Sequence, residues 1–530
     1  MPNLKTNSRF SVAPTVKARR SQFARPFNIK TTFNAGDIIP FYVEEVLPGD
    51  TVKLKTYDLV RMSTSIHPTM DNCYIDTYYF FVPNRLVWQN WQKFCGDQDV
   101  AWVEDTTPPT IPQINCNNSG TSIVTVGSLY DYMGLPLGYL GKASALPFRA
   151  YNLIYNEWFR NENATDKVAV YTGNSESNSF SVLKANKYKD YFTSVLPAPQ
   201  KGADVLIPDS GSTVILRSSV YPETKQLIID ESGLTPDGPL LGLDTYGHLQ
   251  AGADDGTGMA DAVDAWFDPN GTLGVNLNVT VNQLRLAFQT QRLLELDARG
   301  GTRYVEILKA HFNVTAPDAS LQRPEYLGGC RRAINMSEVY QTAPSTGAPV
   351  GNLAGVSKTP GFDAGFTKSF VEHGYLIGVA VVRTDHTYCY GVPKHFMRET
   401  RFDYYWPVLA NIGEQPVYNY EIDAIHKPNK NNGVFGYQEA WADYRYSPNR
   451  LAGYFRNNAS GSLSSWHYGD QYSDLPAFGD TWIKETPANI DRTLTVQSST
   501  MHQFLADIRV ESVWSRVMPV FSIPGLIDHN

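Results

Sequence analysis

The sequence predicts a mainly β fold, an antiparallel sandwich whose loops have grown and taken in helical insertions. Three observations carry this. Strand-length segments rich in aromatic and β-branched residues are scattered along all 530 residues and separated by long stretches of Gly, Pro, Asn and Ser. The strictly alternating strand–helix units that build a parallel sheet are absent. No internal repeat is visible, which argues against a fibre or solenoid.

Taken in order, residues 1–30 show neither helical nor strand periodicity and read as an extended arm. They hold Lys5, Arg9, Lys17, Arg19, Arg20, Arg25 and Lys30 and no acid, a charge of +7 interleaved with Phe10, Phe23 and Phe27. Since the whole chain carries −8, the other 500 residues carry −15. Residues 38–66 read as a β-hairpin around Pro48-Gly49, where Pro presets φ and Gly supplies φ > 0. Residues 74–96, "YIDTYYFFVPNRLVWQNWQKFCG", contain eight aromatic residues. Tyr74–Val82 reads as a strand, Pro83 stops it, and Asn84 caps a helix with Val87, Trp91, Phe94 and Cys95 on one face. The turn between them has no glycine, so the stretch is an apolar wall and not a phosphate-binding turn.

Residues 97–145 read as loops and 146–162 as an aromatic helix. Residues 203–268 hold twelve acids against Arg217 and Lys225, a charge of −10, with eight Gly and four Pro. Such a segment is hard to bury and easy to solvate, and is expected to project as a surface protrusion. Over 280–313 the pattern is helical: Leu284, Ala287, Phe288, Gln291 and Leu294 share a face. Gly300-Gly301 end that helix, and Thr302 can cap a second one. Beyond residue 330 the chain reads as strands at 333–342, 374–390, 415–424, 492–499 and 504–521, joined by long loops.

Composition bounds the function. The chain is 42% hydrophobic and only 18% charged, with 31 Tyr and 10 Trp, a balance that suits extensive contact with other chains as well as an ordinary core. Residues 1–30 hold no apolar run, so no secretory leader is expected, and the longest apolar run, Tyr375–Val382, is strand length, too short to cross a membrane. The five cysteines are scattered, without a C-x-x-C pair, and are expected to be reduced thiols in a cytoplasm. No nucleotide-binding glycine loop, G-x-S-x-G elbow or H-E-x-x-H motif occurs. Asp385-His386 are strand neighbours that point to opposite faces, so they read as a turn or interface pair before a catalytic one. Glu295, Asp297 and Glu306 read as helix-end charges, and Asp254–Gly258 as a solvated loop without complete calcium-loop spacing. The arm differs: cations with interleaved Phe suit phosphate neutralisation and base stacking, whose bland alternative is a solvated tail.

Several stretches together are more specific. "TTFNAGDIIPFYVEEVLPGDT" (31–51), "HPTMDNCYIDTYYFFVPNRLVWQNW" (67–91), "SVLPAPQKG" (194–202), "LRLAFQTQRLLELDARGGTRYVEILKAHFNV" (284–314), "LQRPEYLGG" (321–329), "VFGYQEAWADYRYSPNR" (434–450) and "MPVFSIPGLIDH" (518–529) resemble, in the right order and nearly end to end, the major capsid protein of gokushoviruses. These are small single-stranded DNA bacteriophages of the Microviridae. The departures lie in the loops near 97–145 and 203–268, which leaves host and receptor open.

The resemblance implies an eight-stranded antiparallel jelly roll with large loop and helical insertions, spanning 31–530 behind the 1–30 arm. It implies self-assembly into a T=1 icosahedral shell around a circular single-stranded DNA genome, with no enzymatic activity; no cofactor or metal residue is assigned, and a metal at a symmetry axis is left open. Implied partners are other copies of the chain, the genome, a small basic DNA-binding protein, an internal scaffolding protein, a DNA pilot protein and a host surface receptor. The setting is a virion assembled in the bacterial host cytoplasm. On this reading Arg9, Lys17, Arg19, Arg20 and Arg25 contact nucleic acid. Tyr221, Tyr246, Trp266 and Phe267 are trimer contacts in the protrusion, and Trp88, Trp91 and Phe94 serve the core or a subunit contact. The competing classes are a host-binding spike or fibre, and an aromatic-rich β-sandwich acting on carbohydrate.

Overall fold

The structure, a computed structural model, describes residues 19–97, 109–176, 179–203, 205, 240–243, 249–252, 280–343, 350–426 and 433–521. The chain divides into two compact units, residues 1–201 with 295–530, and Gly202–Leu294 between them.

The larger unit is built on eight long strands: β1 (Ser21–Phe33), β2 (Ile39–Val46), β3 (Thr51–Met62), β4 (Cys73–Pro83), β5 (Glu325–Ala333), β6 (Thr359–Ser369), β7 (Gly374–Thr384) and β8 (Phe504–Arg516). They form two four-stranded antiparallel sheets, β1-β8-β3-β6 and β2-β7-β4-β5. Their pairing is nested: first with last, second with seventh, third with sixth, fourth with fifth. The expected hairpin over 38–66 is therefore corrected. The Pro48-Gly49 turn exists, with Gly49 at φ +87°, but β2 and β3 leave it into different sheets. The turn is a corner between layers, because each strand buries an apolar face against the other sheet. On β6, the register slips between Asp363 and Phe366. Gly365 makes that bulge possible: its φ is +62° and a Cβ there would lie 2.1 Å from the Leu54 carbonyl oxygen.

The two sheets pack face to face through Val52, Leu54 and Val60 of β3, Ile508, Val510 and Trp514 of β8, Ile75, Tyr79 and Phe81 of β4, and Leu376, Ala380 and Val382 of β7. The opposite face of the second sheet is also buried. Phe80 and Val82 of β4 and Ile377, Val379 and Val381 of β7 pack under residues 111–185, which include helix α1 (Leu146–Ile154) and the π-helical turn Tyr155–Phe159 that continues it. That is why Tyr74–Val82 is aromatic at odd and even positions alike: a strand covered on both sides has no solvent face to keep polar.

Other expectations shift. The arm gives way to β1 at Ser21, an edge strand that tolerates Pro26 and whose alternation is hidden by Arg25 at an inward position. Residues 84–95 are not one amphipathic helix but two single turns, Asn84–Val87 and Trp91–Phe94, broken at Trp88, whose backbone is extended. Pro83 and not Asn84 stands at the cap position, and Asn84 Oδ1 has no hydrogen-bond partner among the described residues. Residues 492–499 form turns, 415–424 combine a strand (Glu414–Tyr418) with a helical turn, and the strands at 353–369 escaped the sequence reading.

The described part of Gly202–Leu294 contains the antiparallel pair Leu240–Leu243 with Leu249–Gly252 and the start of helix α2 (Val281–Gly300). Gly301 at φ +103° ends that helix, and α3 (Tyr304–Phe312) follows, capped by Arg303 and not Thr302. Along the expected face of α2, Leu284, Ala287, Gln291 and Leu294 are half-buried and Phe288 is exposed.

Candidate assembly surfaces

The residues singled out from sequence fall into three groups. Arg9 and Lys17 of the arm, Tyr221, Tyr246, Trp266 and Phe267 of the protrusion, and the acidic loop 254–258 lie outside the described residues. Arg19 and Arg20 are exposed at the head of β1. Arg20 donates to the Gly49 carbonyl (2.5 Å) and Thr51 Oγ1 (2.9 Å) at the β2–β3 corner. Arg25 faces inward at the sandwich edge, its guanidinium 5.3 Å from the Trp514 ring centroid and 2.8 Å from Glu44 on the other sheet. Of the three described cations expected to contact nucleic acid, Arg20 and Arg25 thus make contacts within the sandwich.

The aromatic trio separates. Trp88 is fully buried among the residues beneath α1 and donates from Nε1 to Asn174 Oδ1 (2.8 Å). Trp91 is only half-buried and Phe94 is 42% exposed. The expectation of a Trp91 anchor passes to Trp88, because the break at Trp88 turns it inward while Trp91 begins a second, shallower turn. Arg149 of α1 is fully buried under the same cover. Its guanidinium meets Glu176 (2.6 Å) and donates to the carbonyls of Val87, Gly173 and Ser175.

Asp385 and His386 do not act as a pair. Asp385 accepts from Asn72 and Tyr74. His386 is buried between Asp470 (2.8 Å) and Glu485 (2.9 Å), and Asp470 also pairs with Lys187 (3.1 Å). Burial alone would lower the His386 pKa, but Asp470 and Glu485 outweigh it and push it up to about 10. Burial would raise that of Asp470, yet Lys187 and His386 hold it far below the usual carboxylate range. Two cations and two anions balance, and they tie the ends of long loops beneath the sheets. A second hub works likewise: Asp76, buried on β4, is held anionic by Arg383 and Arg331 against the pull of its burial. Tyr188 donates to it at 2.9 Å. Such satisfied pairs are structural. Among the described residues no group of three or more His, Cys, Asp or Glu could hold a metal ion, all five cysteines are free thiols, and no helix is long and apolar enough to cross a membrane.

What the sequence reading missed is an exposed aromatic ribbon over 394–412. Phe396, Phe402, Trp406 and Val408 are exposed, Val408 at 93%. The ribbon is not loose. Trp406 Nε1 donates to the Arg401 carbonyl (2.8 Å), Trp441 Nε1 to that of Leu409 (2.8 Å), and Arg398 pairs with Asp443 while covering the Tyr444 ring. The signal was present as "RFDYYWPVL" (401–409), apolar without a period of 2 or 3.6, which fits no buried strand or helix.

A large apolar surface held rigid on one subunit is the surface of something that assembles, and comparison with known proteins agrees. The family model described as "Capsid protein (F protein)" matches residues 11–526. The chain belongs to this capsid-protein family. It is 40% identical to capsid protein VP1 of Bdellovibrio phage phiMH2K over 97% of both chains. It is 36% identical to VP1 of Chlamydia phage 1, covering 99% of this chain and 98% of that one. With VP1 of Spiroplasma virus 4 the identity is 38%, over 96% and 95% of the two chains. The resemblance to gokushovirus major capsid proteins therefore holds along the whole length, and the chain is a structural component of a phage virion that assembles with copies of itself.

Proposed function

We propose that the chain is the shell subunit of a T=1 icosahedral particle enclosing a circular single-stranded DNA genome, and that its eight strands form a jelly roll. The nested pairing of β1 with β8 through β4 with β5 supports the second part most directly, since an eight-stranded hairpin wound into two sheets is a recurrent capsid architecture. The innermost turn of that hairpin, residues 84–324, carries the insertion that covers the second sheet and the separate unit Gly202–Leu294. A scaffold role without catalysis is part of this reading, in keeping with the capsid-protein family the chain belongs to, and the His386 and Asp76 hubs fit it as paired structural charges. Copies meet in part through the 394–412 ribbon. Sedimentation and electron microscopy of the purified protein test this: closed shells or ring precursors are expected, and a monodisperse monomer or an elongated trimer overturns it. Val408→Asp should abolish shells while the soluble subunit keeps its unfolding midpoint.

On the same reading the small basic DNA-binding protein, the internal scaffolding protein and the DNA pilot protein are partners during assembly in the host cytoplasm, since a chain of net charge −8 cannot neutralise a packaged genome by itself. Residues 203–268 serve as the protrusion that meets a host receptor. Deleting 210–262 should leave particles but abolish adsorption, and unchanged adsorption removes the receptor role. For the arm, the alternative to a genome contact is a clamp that ties neighbouring subunits together, with Phe10 and Phe23 in pockets of the next chain, while Arg20 and Arg25 already have contacts within their own chain. Reversing the charge of Arg19 and Arg20 lowers DNA content in intact shells if the arm binds the genome, and prevents shell formation if it clamps.

A further inference from the structure

The two sheets are finished differently on their outer faces. That of β2-β7-β4-β5 is roofed by the 111–185 insertion, whereas among the described residues no such layer covers that of β1-β8-β3-β6, where Lys53, Tyr57 and Arg61 of β3 and Leu505, Arg509 and Val513 of β8 are exposed. On β3 the burial alternates without a fault: Val52, Leu54, Thr56, Asp58, Val60 and Met62 point inward, and Lys53, Lys55, Tyr57, Leu59 and Arg61 outward. The bare face holds Lys30, Lys53, Lys55, Arg61 and Arg509 against Asp507 and Glu511, a net +3 on a chain of net −8. The two acids are already matched, Asp507 to Lys30 (3.2 Å) and Glu511 to Arg509 (2.9 Å). Lys53, Lys55 and Arg61 make no ion pair or side-chain hydrogen bond with any described residue, so a row of three unmatched cations runs along one strand. At its middle, Tyr57 and Phe362 are cross-strand neighbours with ring centroids 5.0 Å apart, 40% and 50% exposed. At its end, a cavity of about 410 Å³ opens between Arg61, Lys30 and His502 over an apolar floor of Leu59, Leu505 and Val126. Two acids also line it, Asp507 in its pair with Lys30, and Asp131, which accepts from the Gly127 N–H.

We infer that this face is a binding surface for single-stranded nucleic acid. The phosphates lie along Lys53, Lys55 and Arg61, one base stacks on the Tyr57–Phe362 pair, and another enters the cavity beside Arg61. Unmatched cations interleaved with exposed rings are the combination that binds single strands without sequence preference. An apolar protein partner would leave the three charges unpaired on burial, at a cost, which favours the polyanion. The inference rests on the reading of the chain as a shell around DNA and adds to it a site independent of the arm.

The test is fluorescence anisotropy of a labelled oligothymidylate with the full-length protein over a salt series, with particle formation followed in parallel by electron microscopy. Replacing Lys53, Lys55 and Arg61 together with Gln should flatten the slope of log affinity against log salt by about 2, at roughly 0.7 for each phosphate left without its cation. Tyr57→Ala with Phe362→Ala should weaken binding about 5- to 150-fold at one salt concentration, with the slope unchanged. An unchanged slope in the triple variant overturns the site while leaving the shell reading intact if particles still form. Loss of particles with an unchanged slope also overturns it and makes the face a subunit contact. If the wild type itself forms no particles, the shell reading fails, and the slope still decides the site. Binding of duplex as tight as that of single strand, and insensitive to the ring substitutions, overturns the stacking role.

Discussion

β3 and β7 sit in the two layers of one sandwich and read differently. β3, "TVKLKTYDLVRM", alternates buried and open positions along its length, while β7, "GYLIGVAVVRT", is buried at every position but Arg383. The difference teaches what each layer meets. A strand that keeps one polar face has no described layer of its own chain above it and can meet another molecule. One that has lost its polar face is a floor on which an insertion was laid. The same contrast separates the two kinds of charge: Arg149 and His386, buried and paired, hold the insertion and the loop ends, whereas Lys53 and Arg61 are exposed and pair with no described residue.

The largest effect that can break this comparison comes from the roofed side. Trp88→Ala should cost about 3–5 kcal/mol of stability in chemical denaturation, as for a fully buried large aromatic. Phe94→Ala, 42% exposed, should stay within about 0.5 kcal/mol. Equal losses at the two positions would mean that the insertion does not cover Trp88 in solution. Next come single strand positions. Ile377→Ala, on the roofed face of β7, should cost about 2–5 kcal/mol, and Val513→Ala, on the bare face of β8, less than about 0.5 kcal/mol. A large loss at Val513 in the free subunit would show that the bare face is covered after all.

A smaller effect sharpens the comparison through pH. His386 has its pKa raised from 6.5 to about 10, so its stabilisation is full below pH 6.5, declines as pH rises, and is gone above about 10. Asp470, lowered from 3.8, stabilises above that pH and loses its contribution as pH falls below it. The network therefore stabilises most between about pH 4 and 6.5. Thermal unfolding of wild type and His386→Gln should converge toward pH 10, and a gap that widens there would contradict the buried imidazolium. The smallest effect is expected at the sandwich edge. Arg25 and Glu44 keep 39% and 25% of their side chains exposed, and a double-mutant cycle should return about 0.2–1 kcal/mol.

By itself the sequence determined the mainly β class, the aromatic strand at 74–82, the helical character of 146–162 and 280–313, and the charge split between arm and acidic insertion. These rest on local period, propensity and composition, which neighbouring residues along the chain supply. The motifs near residues 31–91 and 434–450 also carried the family. Which strands pair was decided only by tertiary structure. Pro48-Gly49 looks the same whether its strands join one sheet or two, and the choice belongs to β8 and β7, more than 300 residues away in sequence. The fate of the Trp-bearing segment was decided likewise: its helical period promised one face, but Trp88 breaks the helix to reach the apolar floor of β4 and β7, where burying a large ring outweighs a turn of backbone hydrogen bonds. The ribbon at 394–412 and the row Lys53, Lys55 and Arg61 became legible as surfaces only once burial was known. A run of aromatics or lysines spells the same letters inside or outside, and only the packing of distant strands decides whether water or protein lies above them.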